Sequence, residues 1–110
     1  MSEAEIEELV VTIDEARSIV RKKMDILKLE SNREFKRVIL EGYFKEEAAR
    51  VTSALADPTM YHLREQLQEQ LIAISHFEQY LRVAIIMGHR AEVDIIEGEA
   101  EIDELREEAA

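Results

Sequence analysis

With no cysteine in the sequence, any chemistry has to come from carboxylates, histidines and amines. That absence removes a thiol nucleophile, a disulfide and a zinc–thiolate site together. Two short runs carry metal-ligand residue types. His62-Leu63-Arg64-Glu65 and His89-Arg90-Ala91-Glu92 each place a histidine and a glutamate three residues apart, on one face of a helix. Di-iron helical sites use the reverse order, Glu-x-x-His, with two further inward glutamates. In a chain with 25 acidic residues such pairs arise by chance, so both read as surface pairs and neither is assigned to a metal. His76, beside Phe77, reads as an interface residue with no ligand partner. Glu46-Glu47 is followed by Ala48-Ala49-Arg50, so a magnesium-holding Glu-Glu-x-x-Glu run is not completed. Arg17, Lys22, Lys23 and Lys28 could in principle gather a dicarboxylate, but Lys22 and Lys23 are expected to face solvent. There is no glycine-rich phosphate loop and no nucleophile elbow. The expectation is a non-enzymatic chain with no catalytic residue, no cofactor and no metal.

The elements that would carry these residues are helical. One proline and three glycines in 110 residues, with abundant Glu, Leu, Ile, Ala and Arg, predict an all-α chain. Asp57-Pro58 reads as a helix start, because an Asp side chain caps free N–H groups and proline suits the first helical position. From there Met60, Leu63, Leu67, Leu71, Ile74, Phe77, Leu81 and Ile85 recur on one stripe, up to a stop expected at Gly88-His89. Upstream, Ser2-Glu3-Ala4-Glu5 has capping-box spacing, and Ile6, Leu9, Val10, Ile13, Ala16, Val20, Met24 and Leu27 make a narrow seam. Ser31-Asn32-Arg33-Glu34 repeats that spacing and predicts a break. Beyond Gly88, a thin seam of Ala91, Ile95, Gly98, Ile102, Leu105 and Ala109 lies on a very acidic helix. The expected elements are therefore helix A over about 3–29, B over 32–56, C over 58–87 and D over 90–107, within a single domain; an unbroken A–B helix and an uninterrupted C–D helix are the alternatives. The short turn at Ala56-Asp57-Pro58 predicts that B and C pack as an antiparallel hairpin.

Two of these helices are apolar on more than one side. On helix B, Leu40, Phe44, Ala48, Val51 and Leu55 lie nearly opposite Phe35, Val38, Ile39 and Gly42. On helix C, Ile72, Val83, Ile86 and Met87 lie opposite the main stripe. A helix that is apolar all round has to be buried from more than one direction. The fold expected is an elongated antiparallel helical hairpin or bundle of three to four long helices, forming a homo-oligomer. Its contact residues are expected to be Leu40, Phe44, Val51, Leu55, Ile72, Val83, Ile86 and Met87; their burial in an intramolecular core is the alternative.

Charge is unevenly placed around a net of −11. Residues 1–16 carry six acids and no base, 17–50 ten bases against six acids, and 88–110 nine acids against two bases. Acidic ends and a basic first third suit pairing within the chain or head-to-tail contacts between copies. A net negative chain whose bases form no aromatic-laced stripe is a poor nucleic-acid binder. No apolar run approaches the roughly 18 residues of a membrane span, so no membrane partner is expected.

Residues 32–50 with their Gly42-Tyr43-Phe44, the run 71–77, and Gly88-His89-Arg90-Ala91-Glu92 together resemble small uncharacterised helical proteins of tailed bacteriophages. The resemblance spans about 30–105 and implies a virion-associated or assembly accessory role of scaffold, internal, neck or adaptor type. It implies other virion proteins as partners and a place in the virion or the host cytoplasm. A small regulatory inhibitor, binding a host enzyme through an acidic or basic helix face, is the alternative reading. A helical metal-binding protein or small-molecule enzyme is the third.

Overall fold

A computed structural model describes residues 2–110, with side chains from residue 3 onward. Its elements are helix α1 (Ser2–Glu30), α2 (Arg33–Phe35), a π-helix (Lys36–Glu47), α3 (Ala48–Leu55), a 3-10 helix (Pro58–Leu63) and α4 (Arg64–Ala109). The chain is all-α, with no strand among the described residues. The π-helix joins α2 to α3 without interruption, and among the described residues the non-helical links between elements lie at 31–32 and 56–57. Two compact units result. The terminal unit combines the described residues up to Ile26 with Val83–Ala110, and the central unit is Leu27–Arg82.

Local sequence accounts for the breaks. Ser31 donates its hydroxyl to the Lys28 carbonyl, closing α1, and the Asn32 side chain accepts from the Phe35 N–H at 2.9 Å, opening α2. The boundary falls where capping-box spacing put it, but Asn32 rather than Ser31 is the cap. At the second link, Asp57 Oδ1 accepts from the Thr59 N–H (3.0 Å) and hydroxyl (2.8 Å), with Pro58 at the first helical position. The first turn there is 3-10 before α4 takes over. The hydroxyl of the Ser2 capping box lies outside the described side chains.

One expected boundary is absent: α4 runs through Gly88-His89 as a single helix of 46 residues. Helices C and D are one element. A lone glycine costs a helix only about 1 kcal/mol, and Gly88 is buried against α1 instead of ending anything.

In the terminal unit, α1 and α4 run antiparallel: Ile13 meets Gly98, Arg17 meets Glu99, and Lys23 meets Gly88 and Glu92. The buried residues are mostly small, with Ala16, Ala84, Gly88, Ala91 and Gly98 beside Ile13 and Ile102. On α1 the seam expected to continue through Met24 and Leu27 runs instead through Lys23 and Ile26, leaving Met24 and Leu27 exposed. Lys23, expected in solvent, is 6% exposed.

In the central unit, the chain reverses at 56–57 and α4 supplies Leu67, Ile74 and Leu81 to the core. Val51 is fully buried, Phe44 is buried, and Phe44 meets Phe77 edge-on with ring centroids 5.3 Å apart. Tyr43 completes the ring group, 6.3 Å from Phe77.

The π-helix has a reason in the sequence. At 100° per residue, the α-helical face through Val51 and Phe44 would continue to Arg37 and Arg33 and bury charge. Bonding from i to i+5 widens the turn to between four and five residues. Phe35, Ile39, Leu40, Tyr43 and Phe44 then follow one another on the sheltered side, while Arg33 and Arg37 stay exposed.

Candidate functional site

The structure separates the eight predicted contact residues by helix. Val51 and Phe44 lie in the core of the central unit, and Leu40 and Leu55 are half-buried there. These four are occupied within their own unit. The four from α4 are the reverse: Ile72 is 59% exposed in the central unit, and Val83, Ile86 and Met87 are about half exposed or more in the terminal unit.

Within the terminal unit, α4 therefore has two faces of different character. One is the seam against α1. The other carries Val83, Ile86, Met87, Arg90, Val93, Asp94, Glu97, Glu101 and Glu104 at alternating threes and fours, all exposed. Its first half is apolar around Arg90, and its second half is carboxylate. Asp94, Glu97, Glu101 and Glu104 make no ion pair or hydrogen bond among the described residues.

The seam holds a built-in charge pair. Lys23 lies across Gly88, where a methyl group would overlap its Cβ and stand 2.6 Å from its Cδ, and its ammonium donates to Glu92 Oε1. The hydrogen bond from Lys23 holds the Glu92 carboxyl below its ordinary range, helped by the charges of Lys23 and His89 and opposed by desolvation. Glu92 is thereby engaged by an amine, so the His89/Glu92 pair offers no free ligand set. No group of three or more His, Asp or Glu side chains converges to hold a metal among the described residues. A second pair spans the same two helices, Arg17 to Glu99 at 3.1 Å, with Asp14 on the other guanidinium nitrogen at 3.4 Å. These two bases fulfil the expected pairing with an acidic end.

The remainder of that end is not neutralised. An open groove of about 260 Å³ runs over Ile13, Ile102, Asp103 and Arg106, and Glu3 and Glu7 share another with Arg106 and Ala109. The first turns of α1 thus lie beside the last turns of α4, where Arg106 is the base nearest Glu3 and Glu7. The terminal unit carries sixteen acids against six bases, net −10; the central unit carries nine against eight.

On the central unit, the outer side of the π-helix presents Lys36, Arg37, Val38, Glu41 and Lys45, all exposed. Lys36, Arg37 and Lys45 have no ion-pair partner among the described residues. Sequence reasoning did not single out this face, because on helix B it followed the apolar residues, although Arg37, Glu41 and Lys45 recur every four residues. The buried Lys23 was also missed, although the spacing Leu9, Ile13, Ala16, Val20, Lys23 continues one seam through it. Comparison with known protein families, curated proteins and solved structures finds no match. No helix of the described residues is long and apolar enough to cross a membrane.

Proposed function

We propose that this chain is a non-enzymatic interaction protein that associates with further copies of itself through the outer face of α4. The observation that carries this reading is the row Val83, Ile86, Met87 and Val93, about half exposed or more, opposite a seam already filled by α1. Regularly spaced large apolar side chains left in water on one face mark a contact surface. A role as an accessory component of a tailed-phage particle rests on the sequence resemblance described above, and it fits a small helical part that works by contact. Sedimentation velocity of the purified chain is expected to show a defined oligomer, and Val83→Glu with Ile86→Glu is expected to return it to monomer while circular dichroism stays helical. A wild-type chain that sediments as a monomer at every concentration tested would overturn the reading.

The net charge of −10 in the terminal unit supports a second reading, an inhibitor that covers a basic surface of a host enzyme. Specific capture of one host enzyme, lost on charge reversal at Glu97 and Glu101, distinguishes it from self-association.

A further inference from the structure

We infer that the outer stripe of α4 in one copy receives the exposed face of the π-helix of a second copy, in a head-to-tail contact. This rests on the self-association reading and names the surface that meets the stripe. Two copies facing each other stripe to stripe would bring together terminal units of net −10 each, and like charges at short range oppose association. The chain carries a better complement on its other unit.

The two surfaces match in kind and spacing. The stripe is apolar with one base, Arg90, and then acidic at Asp94, Glu97 and Glu101. The π-helix face is basic at Lys36, Arg37 and Lys45, with one acid, Glu41, and one exposed apolar side chain, Val38, at 58%. Arg90 and Asp94 are four residues apart, as are Arg37 and Glu41. Laid antiparallel, Glu41 faces Arg90, Arg37 faces Asp94, Val38 meets Val93, and Arg33 approaches the Glu97–Glu101 end. Arg37, Glu41 and Lys45 follow one another at intervals of four residues and so lie along one side of the helix. Among the described residues all of these charged groups except Arg33 lack an ion-pair partner, so docking breaks no pair of theirs seen there; Arg33 reaches Glu34, at 3.9 Å. Because donor and acceptor surfaces differ, the contact is heterologous, and its repetition gives a ring or an open filament.

Charge reversal with complementation tests this. Arg33→Glu with Arg37→Glu is expected to weaken self-association by about tenfold or more, and so is Asp94→Lys with Glu97→Lys. Mixing the two variants restores opposite charges at both contacts, and sedimentation velocity is expected to recover assembly close to wild type. Raising salt should weaken wild-type assembly through the same contacts. All substituted residues are exposed, and circular dichroism checks that each variant stays helical. Assembly that survives both reversals but is lost with Val83→Glu and Ile86→Glu overturns the head-to-tail contact and leaves self-association standing. Two reversed variants that each fail alone and fail together also overturn it. A monomeric wild type overturns both proposals.

Discussion

In the terminal unit, α1 and α4 come together over Ala16, Ala84, Gly88, Ala91 and Gly98, whereas in the central unit Phe44 and Val51 are buried, with half-buried Tyr43 and the more exposed Phe77 against the Phe44 ring. The first arrangement draws two backbones close and leaves no room to add an atom. The second holds helices apart with large side chains and depends most on Phe44 and Val51, which are buried. Their charges differ in the same way: net −10 on the terminal unit and −1 on the central unit. A small-residue seam under strong self-repulsion should be sensitive to enlargement, to loss of its charge pair and to ionic conditions. An aromatic core should be sensitive to truncation and nearly indifferent to salt.

The largest effect is expected from truncation in the central unit. Phe44→Ala should destabilise it by about 3 kcal/mol, read by denaturant unfolding, because a buried ring leaves a cavity among Tyr43, Phe77 and Val51. Enlargement should do the corresponding damage in the terminal unit: Gly88→Ala is expected to cost about 1–3 kcal/mol by forcing Lys23 off its seat. Hydrogen exchange resolves which unit opens, and loss of protection in the wrong unit would break the contrast.

The Lys23–Glu92 pair gives a sharper asymmetry. Glu92→Ala leaves a buried ammonium without its partner and should lower the melting temperature clearly. Lys23→Met, which fills the same space without charge, should leave it unchanged or raised. Equal losses from both substitutions would show that the pair itself, not its unpaired half, matters. The Glu92 carboxyl is depressed below its ordinary value of 4.5, so its contribution is fully present above that value and is lost as pH falls through the lowered one. A Glu92→Gln variant should lose this part of the acid dependence below pH 4.5, in a titration followed by hydrogen exchange in the terminal unit.

Smaller effects follow from the π-helix and from salt. In an ordinary helix Gly42→Ala should stabilise by about 1 kcal/mol. Here a methyl at that position stands 3.0 Å from the Arg37 carbonyl oxygen, so the gain should fall well short of that or reverse. A full gain would argue for α-helical geometry over 36–47. Adding moderate salt at low ionic strength should raise protection at the acid-rich end of the terminal unit by screening, and leave the central unit unaffected.

Much of this was legible in the sequence, and the parts that were not have identifiable causes. The helical class, the breaks at 31–32 and 56–57, the seam Ala91-Gly98-Ile102 and the core stripe Leu67-Ile74-Leu81 follow from periodicity and capping residues. Gly88 misled because glycine both ends helices and permits close approach, and only a neighbour such as α1 decides between the two. Lys23 misled because a charged residue in a seam looks like an error until a glycine and a carboxylate are seen across from it. Ile72, Val83, Ile86 and Met87 stand exposed, on the side of α4 away from its buried stripe, as its two-sided apolar pattern suggests. The other four, Leu40, Phe44, Val51 and Leu55, do share one side as periodicity groups them, but that side is turned to the core of their own unit, which was the alternative; only the neighbouring helix decides between the two.

Lys23 also makes the terminal unit its own reporter. Of five lysines it is the one whose amine is shut away between α1 and α4, so a reagent such as a succinimidyl ester should spare it while the seam is closed. Labelling at that single residue, followed by mass spectrometry, would time the separation of the two helices without any engineered probe.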